Sequence, residues 1–77
     1  MAKEVNAATY LNMSTCFYLL QNYPKAIEKA TESLANKKTI KGLYRRAKAY
    51  AMKLDYDKAV KDMEEADIMD TSDPNDI

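Results

Sequence analysis

Three basic residues in the second half of the sequence have the spacing of a single helix face. Lys41 and Arg45 are four residues apart, and Lys48 follows three residues later. In an α-helix such positions lie side by side. Arg offers a carboxylate a planar fork of donors, and Lys offers a compact positive charge. Because two like charges at this spacing repel each other, an anion bound between them would stabilise the helix. The pattern therefore indicates a site for carboxylates.

The charge distribution along the chain offers a second explanation for the same residues. Residues 37–53 contain seven Lys and Arg and no acid, whereas residues 54–77 contain nine acids and two Lys. Two neighbouring helices of opposite charge can pair with each other and with water. The basic residues would then form a solvated face without a ligand. The acids of the last segment, including Asp62 and Glu65, are expected on a solvated helix surface.

The composition excludes several other kinds of site. The chain has 77 residues, no His and one Cys, so an internal disulfide, an ordinary zinc site and the usual nucleophilic catalysis lack their residues. We expect no enzyme and no cofactor, and Cys16 is expected to be a buried, inert thiol. No apolar run reaches the roughly 18 residues that cross a bilayer, which favours a cytoplasmic protein. Acids beside the basic block argue against nucleic-acid binding.

The elements that must position these residues form two repeats. Residues of identical type recur at a spacing of 33, in the pairs Tyr23 and Tyr56, Lys25 and Lys58, Ala26 and Ala59, and Glu32 and Glu65. A fixed period of this length is typical of helical repeat proteins. The repeats extend over about 7–39 and 40–72, with a tail at 73–77.

Each repeat is predicted to be a hairpin of two helices, because apolar residues recur at spacings of three and four. Pro24 suits the first turn of the second helix, where its missing N–H costs nothing. Thr39 and Asp55 are the expected N-caps of the third and fourth helices. The inward face of the fourth helix is expected to carry Ala59, Val60, Met63 and Ala66. One Gly and no sustained alternation argue against strands, so the fold class is all-α with about four helices.

The repeated residues resemble the tetratricopeptide repeat (TPR) over about 7–72, almost the whole chain. The matching residues of the second repeat are Lys41, Gly42, Leu43, Tyr44, Arg45, Arg46 and Ala47, followed by Tyr50, Tyr56, Ala59 and Ala66. Those of the first are Tyr10, Leu11, Asn12, Phe17, Tyr23, Ala26 and Ile27. The resemblance implies antiparallel helix hairpins stacked in a right-handed superhelix.

The sequence is most similar to the carboxylate-clamp TPR domains of co-chaperones, such as those of large immunophilins. The resemblance implies that Asn12, Lys41 and Arg45 hold the C-terminal tails of heat-shock chaperones of the seventy and ninety kilodalton classes. These tails end in Glu-Glu-Val-Asp. The amide of Asn12 can donate to a terminal carboxylate and accept from a peptide N–H. Lys48 borders the same face and completes the expected peptide-binding set.

Two departures from that family lead to a weaker expectation and to an alternative. The family takes a further Lys and Asn from an upstream repeat and ends with an additional helix, and neither has a counterpart here. We therefore expect two repeats of a larger domain and weak peptide binding near millimolar, about −4 kcal/mol. The alternative is a self-associating assembly module, a homo-oligomer in which a second copy covers exposed apolar ends such as Val60 and Met63.

Overall fold

The computed structural model describes residues 6–71, which form four α-helices. They are α1 (Ala7–Leu19), α2 (Tyr23–Asn36), α3 (Ile40–Met52) and α4 (Tyr56–Thr71). The described residues contain no strand, so the all-α prediction is confirmed. The predicted tail at 73–77 lies outside this range. None of the helices between residues 6 and 71 has the length and apolar character needed to cross a membrane.

The helix boundaries recur with the period seen in the sequence. We call α1 and α2 hairpin one, and α3 and α4 hairpin two. Both ends of α3 follow those of α1 by one full period, and the start of α4 follows that of α2 by the same interval. The turn within each hairpin contains one left-handed residue, Gln21 with φ 63° and Leu54 with φ 65°. These two residues are also one period apart, so the chain reverses direction in the same way twice.

Local signals in the sequence explain where the helices begin. The side chain of Thr39 accepts a hydrogen bond of 3.0 Å from the backbone N–H of Gly42, which confirms the predicted cap of α3. Pro24 lies in the first turn of α2, as predicted. α4 begins directly after Asp55, whose carbonyl oxygen accepts from the N–H of Ala59 at 3.1 Å. The starts of α2 and α3 therefore agree with short-range signals in the sequence.

The helices pack mainly through small residues. α2 contacts both α1 and α3, α4 contacts α3, and α1 also touches α3. The buried apolar residues other than Leu43 are all alanines, namely Ala26, Ala30, Ala47, Ala49, Ala59 and Ala66. Small side chains let helix backbones approach closely. One close approach is at Gly42, where an added Cβ would lie 2.8 Å from Cδ2 of Leu34.

Sequence-based burial predictions are wrong for the inward face of α4 and for Cys16. Val60 and Met63 of that face remain 51% and 47% exposed, which agrees with the exposure that the self-association alternative assumes. α3 is the one helix that α4 contacts within residues 6–71, so the opposite side of α4 stays open. Cys16 is exposed rather than buried, because α1 turns its buried Ser14 towards α2 and leaves Cys16 on another side.

Candidate functional site

The four predicted site residues line two neighbouring pockets. The smaller pocket has a volume of about 310 Å³, and Asn12 and Lys41 contribute to its wall. The larger has a volume of about 600 Å³, and its wall includes Lys41, Arg45 and Lys48. Lys41 belongs to both walls, so the two pockets adjoin at this side chain. The structure thus places all four residues on one continuous surface.

Two helices position these side chains. Asn12 is an exposed residue of α1, and the three basic residues lie on successive turns of α3. Direct contact between α1 and α3 brings Asn12 beside the first turn of α3. The cap at Thr39 fixes the start of α3, and Thr39 itself lines the smaller pocket. The relative position of amide and cations therefore depends on the packing of one hairpin against the other.

The cations of this surface have no ion-pair partner in the part of the chain that the structure describes. Within residues 6–71, no ion pair involves Lys41, Arg45 or Lys48. Lys37, at the C-terminal end of α2, adds a further cation to the smaller pocket and makes no ion pair within the same range. A concave surface lined by one sign of charge attracts and concentrates ligands of the opposite sign.

One donor on this surface is buried without a partner. Nε of Arg45 is inaccessible to solvent and forms no hydrogen bond with any described residue. An unpaired buried donor costs about 1–3 kcal/mol, more for a charged group. An acceptor that reached Arg45 would remove part of this cost. The side chain is therefore predisposed towards an anionic or carbonyl oxygen.

The larger pocket combines its basic residues with an apolar wall, and Asp67 lies next to the Tyr44 of that wall. Ile40, Tyr44 and Met63 contribute apolar wall between α3 and α4. The Tyr44 hydroxyl donates to Oδ1 of Asp67 at 3.4 Å. The negative charge of Asp67 is the main reason that the pKa of Tyr44 is raised above 10.0. The arrangement suits a ligand that carries both acidic and apolar groups.

The predicted pairing between the basic segment 37–53 and the acidic segment 54–77 does occur, but through residues that do not line the two pockets. Arg46 places Nε and Nη2 at 2.7 Å from the two carboxylate oxygens of Asp62, and Lys38 pairs with Glu65. Asp62 is 4% exposed, so the prediction that it lies on a solvated face is wrong. Asp62 raises the pKa of Arg46 through this hydrogen-bonded contact. Among residues 6–71, Lys38 and Arg46 of the basic segment 37–53 are thus paired, whereas the pocket-lining Lys41, Arg45 and Lys48 are not.

Sequence reasoning missed Ile40, Met63 and Lys37 as lining residues. The position of Lys37 at a helix end and near Lys41 was a usable signal. Met63 had no such signal, since its contribution depends on how α4 lies against α3. Among residues 6–71 there is also no group of three or more His, Cys, Asp or Glu that could hold a metal ion. Lys41, Arg45 and Lys48 give this surface donors that suit anionic groups.

Neither the family models nor the curated proteins nor the solved structures contain a match to this chain.

Proposed function

We propose that this chain is a non-enzymatic recognition module that binds acidic peptides through their C-terminal carboxylate. One observation carries the proposal. Asn12, Lys41, Arg45 and Lys48 share a surface, and its cations lack ion-pair partners among residues 6–71, although neighbouring cations of the same block are paired. A basic block that served only to hold the hairpins together would be expected to pair more of its members with the acids of α4.

The individual contacts follow from the donor geometry. Lys41 belongs to both pockets, so it is placed to contact the terminal carboxylate together with the amide of Asn12. Arg45 and Lys48 are placed to contact acidic side chains further along the peptide. Charged hydrogen bonds contribute about 1.5–3 kcal/mol each when partly shielded from water. With both pockets open to solvent, the total affinity is expected near millimolar, about −4 kcal/mol.

The repeat family and the peptide partner are part of the same proposal. The 33-residue period, the hairpin pairs and the quoted residue pattern support two TPR units with right-handed superhelical stacking. The similarity to carboxylate-clamp domains supports the tails of heat-shock chaperones, ending Glu-Glu-Val-Asp, as partners in the cytoplasm. The peptide Met-Glu-Glu-Val-Asp is accordingly the first ligand to test.

The test is an NMR titration of the labelled chain with this peptide in its free-carboxylate and C-terminally amidated forms. The free form should shift the amide signals around Lys41 and Arg45, and amidation should weaken binding several-fold. A Lys41→Ala/Arg45→Ala variant should lose the effect. Lys53→Ala/Lys61→Ala removes the same charge at exposed positions outside both pockets, so it should bind almost normally.

Two results would contradict the proposal. One is the absence of shifts at several millimolar of the free-carboxylate peptide. The other is equal weakening by both double variants, which would mean that only the net charge matters. Far-UV circular dichroism of each variant separates lost binding from lost folding.

A further inference from the structure

The internal repeat shows which faces of α1 and α4 have no helix packed against them within residues 6–71. Inside the chain, α3 packs against α2 through two well-defined contacts. Gly42 lies against Leu34, and Nη1 of Arg46 donates to Oγ1 of Thr31 at 3.2 Å. These contacts define which face of each repeat receives the next helix.

Shifting these contacts forward by one repeat identifies a matching face on α4. Glu64 takes the place of Thr31, and Asp67 takes the place of Leu34. Met63 directly precedes Glu64 and lies about one turn before Asp67. It is 47% exposed, whereas its counterpart Ala30 in α2 is completely buried. Val60, a further turn back, is 51% exposed. We call Val60, Met63, Glu64 and Asp67 the α4 face.

The reverse shift identifies a matching face on α1. Thr9 takes the place of Gly42, and Met13 takes the place of Arg46. Met13 is 37% exposed, and Cys16 is exposed although its counterpart Ala49 has no accessible surface. We call Thr9, Met13 and Cys16 the α1 face. Within residues 6–71, two uncovered surfaces therefore correspond to the two sides of the internal interface.

The 600 Å³ pocket lies beside the place where a following helix would pack. Its α3 residues Ile40, Lys41, Tyr44 and Arg45 are the counterparts of Ala7, Ala8, Leu11 and Asn12. Those four α1 residues line the smaller pocket, which Thr39 and Lys41 help to enclose. The larger pocket is thus the same groove in hairpin two, with no following helix among residues 6–71.

We propose that α1 of a second copy packs beside this groove, as α3 packs beside the smaller one, so that two chains associate head to tail through the α1 face and the α4 face. This inference goes beyond peptide binding and does not depend on it. Charge favours this pairing over a symmetric contact between two α4 faces. The latter would bring Glu64 and Asp67 against their own copies, whereas α1 carries no charged residue. Like charges brought together at an interface oppose association.

The contact has an expected strength and form. One helix face buries less than the roughly 1,600 Å² of a standard stable interface, so association should be weak and dependent on concentration. A head-to-tail contact leaves one free face at each end. Further copies therefore add in a row, and the mean mass should rise steadily with concentration instead of stopping at a dimer.

Sedimentation velocity between about 10 µM and 1 mM tests this directly, with variants that block one face each. Val60→Glu/Met63→Glu blocks the α4 face, and Met13→Glu blocks the α1 face; each alone should be monomeric. An equimolar mixture should form a 1:1 dimer and nothing larger, because each variant retains one intact face. Met52→Glu, at a position 50% exposed and outside both faces, should associate like the wild type.

A covalent readout guards against variants that fail to fold. In a Cys16→Ser background, Thr9→Cys/Asp67→Cys places thiols at the counterparts of the close Gly42 and Leu34 pair. No contact joins α1 and α4 within the described part of one chain, so mild oxidation should give a ladder of disulfide-linked multimers. Thr9→Cys alone should stop at dimers.

Four results would overturn the proposal. They are a monomeric wild type at 1 mM, a mixture of the blocked variants that stays monomeric, a Met52→Glu variant that is equally impaired, and the absence of a ladder. Loss of association in 0.5 M NaCl would also overturn it. That result would indicate an ionic contact between the basic surface of α3 and the acids of α4 in another copy.

Discussion

Hairpin one and hairpin two have the same backbone course but different polar contacts. In hairpin one, the hydroxyl of Ser14 donates to the carbonyl oxygen of Ala26 at 2.7 Å. A second hydroxyl, that of Ser33, donates to the carbonyl oxygen of Ala7 at 2.8 Å. Both contacts are neutral, and both serines are buried. The counterparts of the two serines in hairpin two are the buried alanines Ala47 and Ala66.

In hairpin two the buried polar contact is an ion pair. Arg46 donates to both carboxylate oxygens of the buried Asp62 and also to the hydroxyl of Thr31 on α2. The counterparts of Arg46 and Asp62 in hairpin one are Met13 and Lys29, two residue types that cannot form an ion pair with each other. Small residues and matching turns therefore determine how the helices cross in both hairpins. The buried polar contact between the helices is a neutral hydrogen bond in hairpin one and a charged pair in hairpin two.

The largest effect is expected from removing the carboxylate of the ion pair. Asp62→Ala leaves Arg46 mostly buried without its partner, since the side chain of Arg46 is only 20% exposed. Breaking a fully buried pair costs about 3–5 kcal/mol, and partial exposure reduces this to about 2–3 kcal/mol. Urea unfolding monitored by circular dichroism measures the loss. Asp70→Ala, at an exposed position of the same helix, should change stability by less than about 0.5 kcal/mol.

A double variant tests whether hairpin two needs an ion pair at all. Arg46→Met/Asp62→Leu replaces the pair with apolar groups and introduces Met, the residue that hairpin one has at this position. Most of the stability lost in Asp62→Ala should return, because apolar replacement of a buried pair is often neutral or stabilising. A double variant as unstable as Asp62→Ala would refute the view that the polar contact is exchangeable.

A smaller effect is expected in hairpin one. Ser14→Ala removes a buried hydrogen bond and should cost about 0.5–1.5 kcal/mol. The reciprocal change Ala47→Ser places a hydroxyl at the equivalent point of hairpin two, facing Ala59. This variant should be nearly as stable as the wild type, because the new group gains a carbonyl partner. Unfolding midpoints in urea compare the two variants, and a neutral Ser14→Ala would contradict the role given to this bond.

The smallest effect concerns a polar pair that hairpin one replaces with two leucines. Tyr44 and Asp67 are the counterparts of Leu11 and Leu34. The charge of Asp67 raises the pKa of Tyr44 above its unfolded value of 10.0. The folded state therefore holds this proton more tightly, so the stabilisation is complete below the unfolded pKa and disappears as pH rises through the folded pKa. Both side chains are exposed, so the effect on stability is slight.

Asp67→Asn should lower the pKa of Tyr44 towards 10.0. Absorbance titration at 295 nm, taken as the difference from the matching Tyr44→Phe chain, isolates this one tyrosine among six. An unchanged titration curve in Asp67→Asn would show that the Asp67 charge does not act on Tyr44.

The sequence predicted the elements better than the surfaces. The 33-residue period, Pro24 and the cap at Thr39 depend on neighbouring residues, and the structure follows them closely. The shared wall of Lys41, Arg45 and Lys48 also followed from spacing on one helix. The burial of Asp62 and the exposure of Cys16 could not be predicted from spacing, because they depend on which side of a helix another helix covers. A run of basic residues cannot show that Arg46, rather than Arg45, turns towards α4.

The order of helix contacts has a consequence for the rate of folding. Each helix packs chiefly against its neighbour in the chain, and the contact of α1 with α3 is the one further contact within residues 6–71. Native contacts therefore join residues that are close in sequence, and little loop entropy is lost before they form. Proteins of this kind fold in about microseconds to milliseconds. Folding can therefore nucleate in either hairpin and extend to the neighbouring helix.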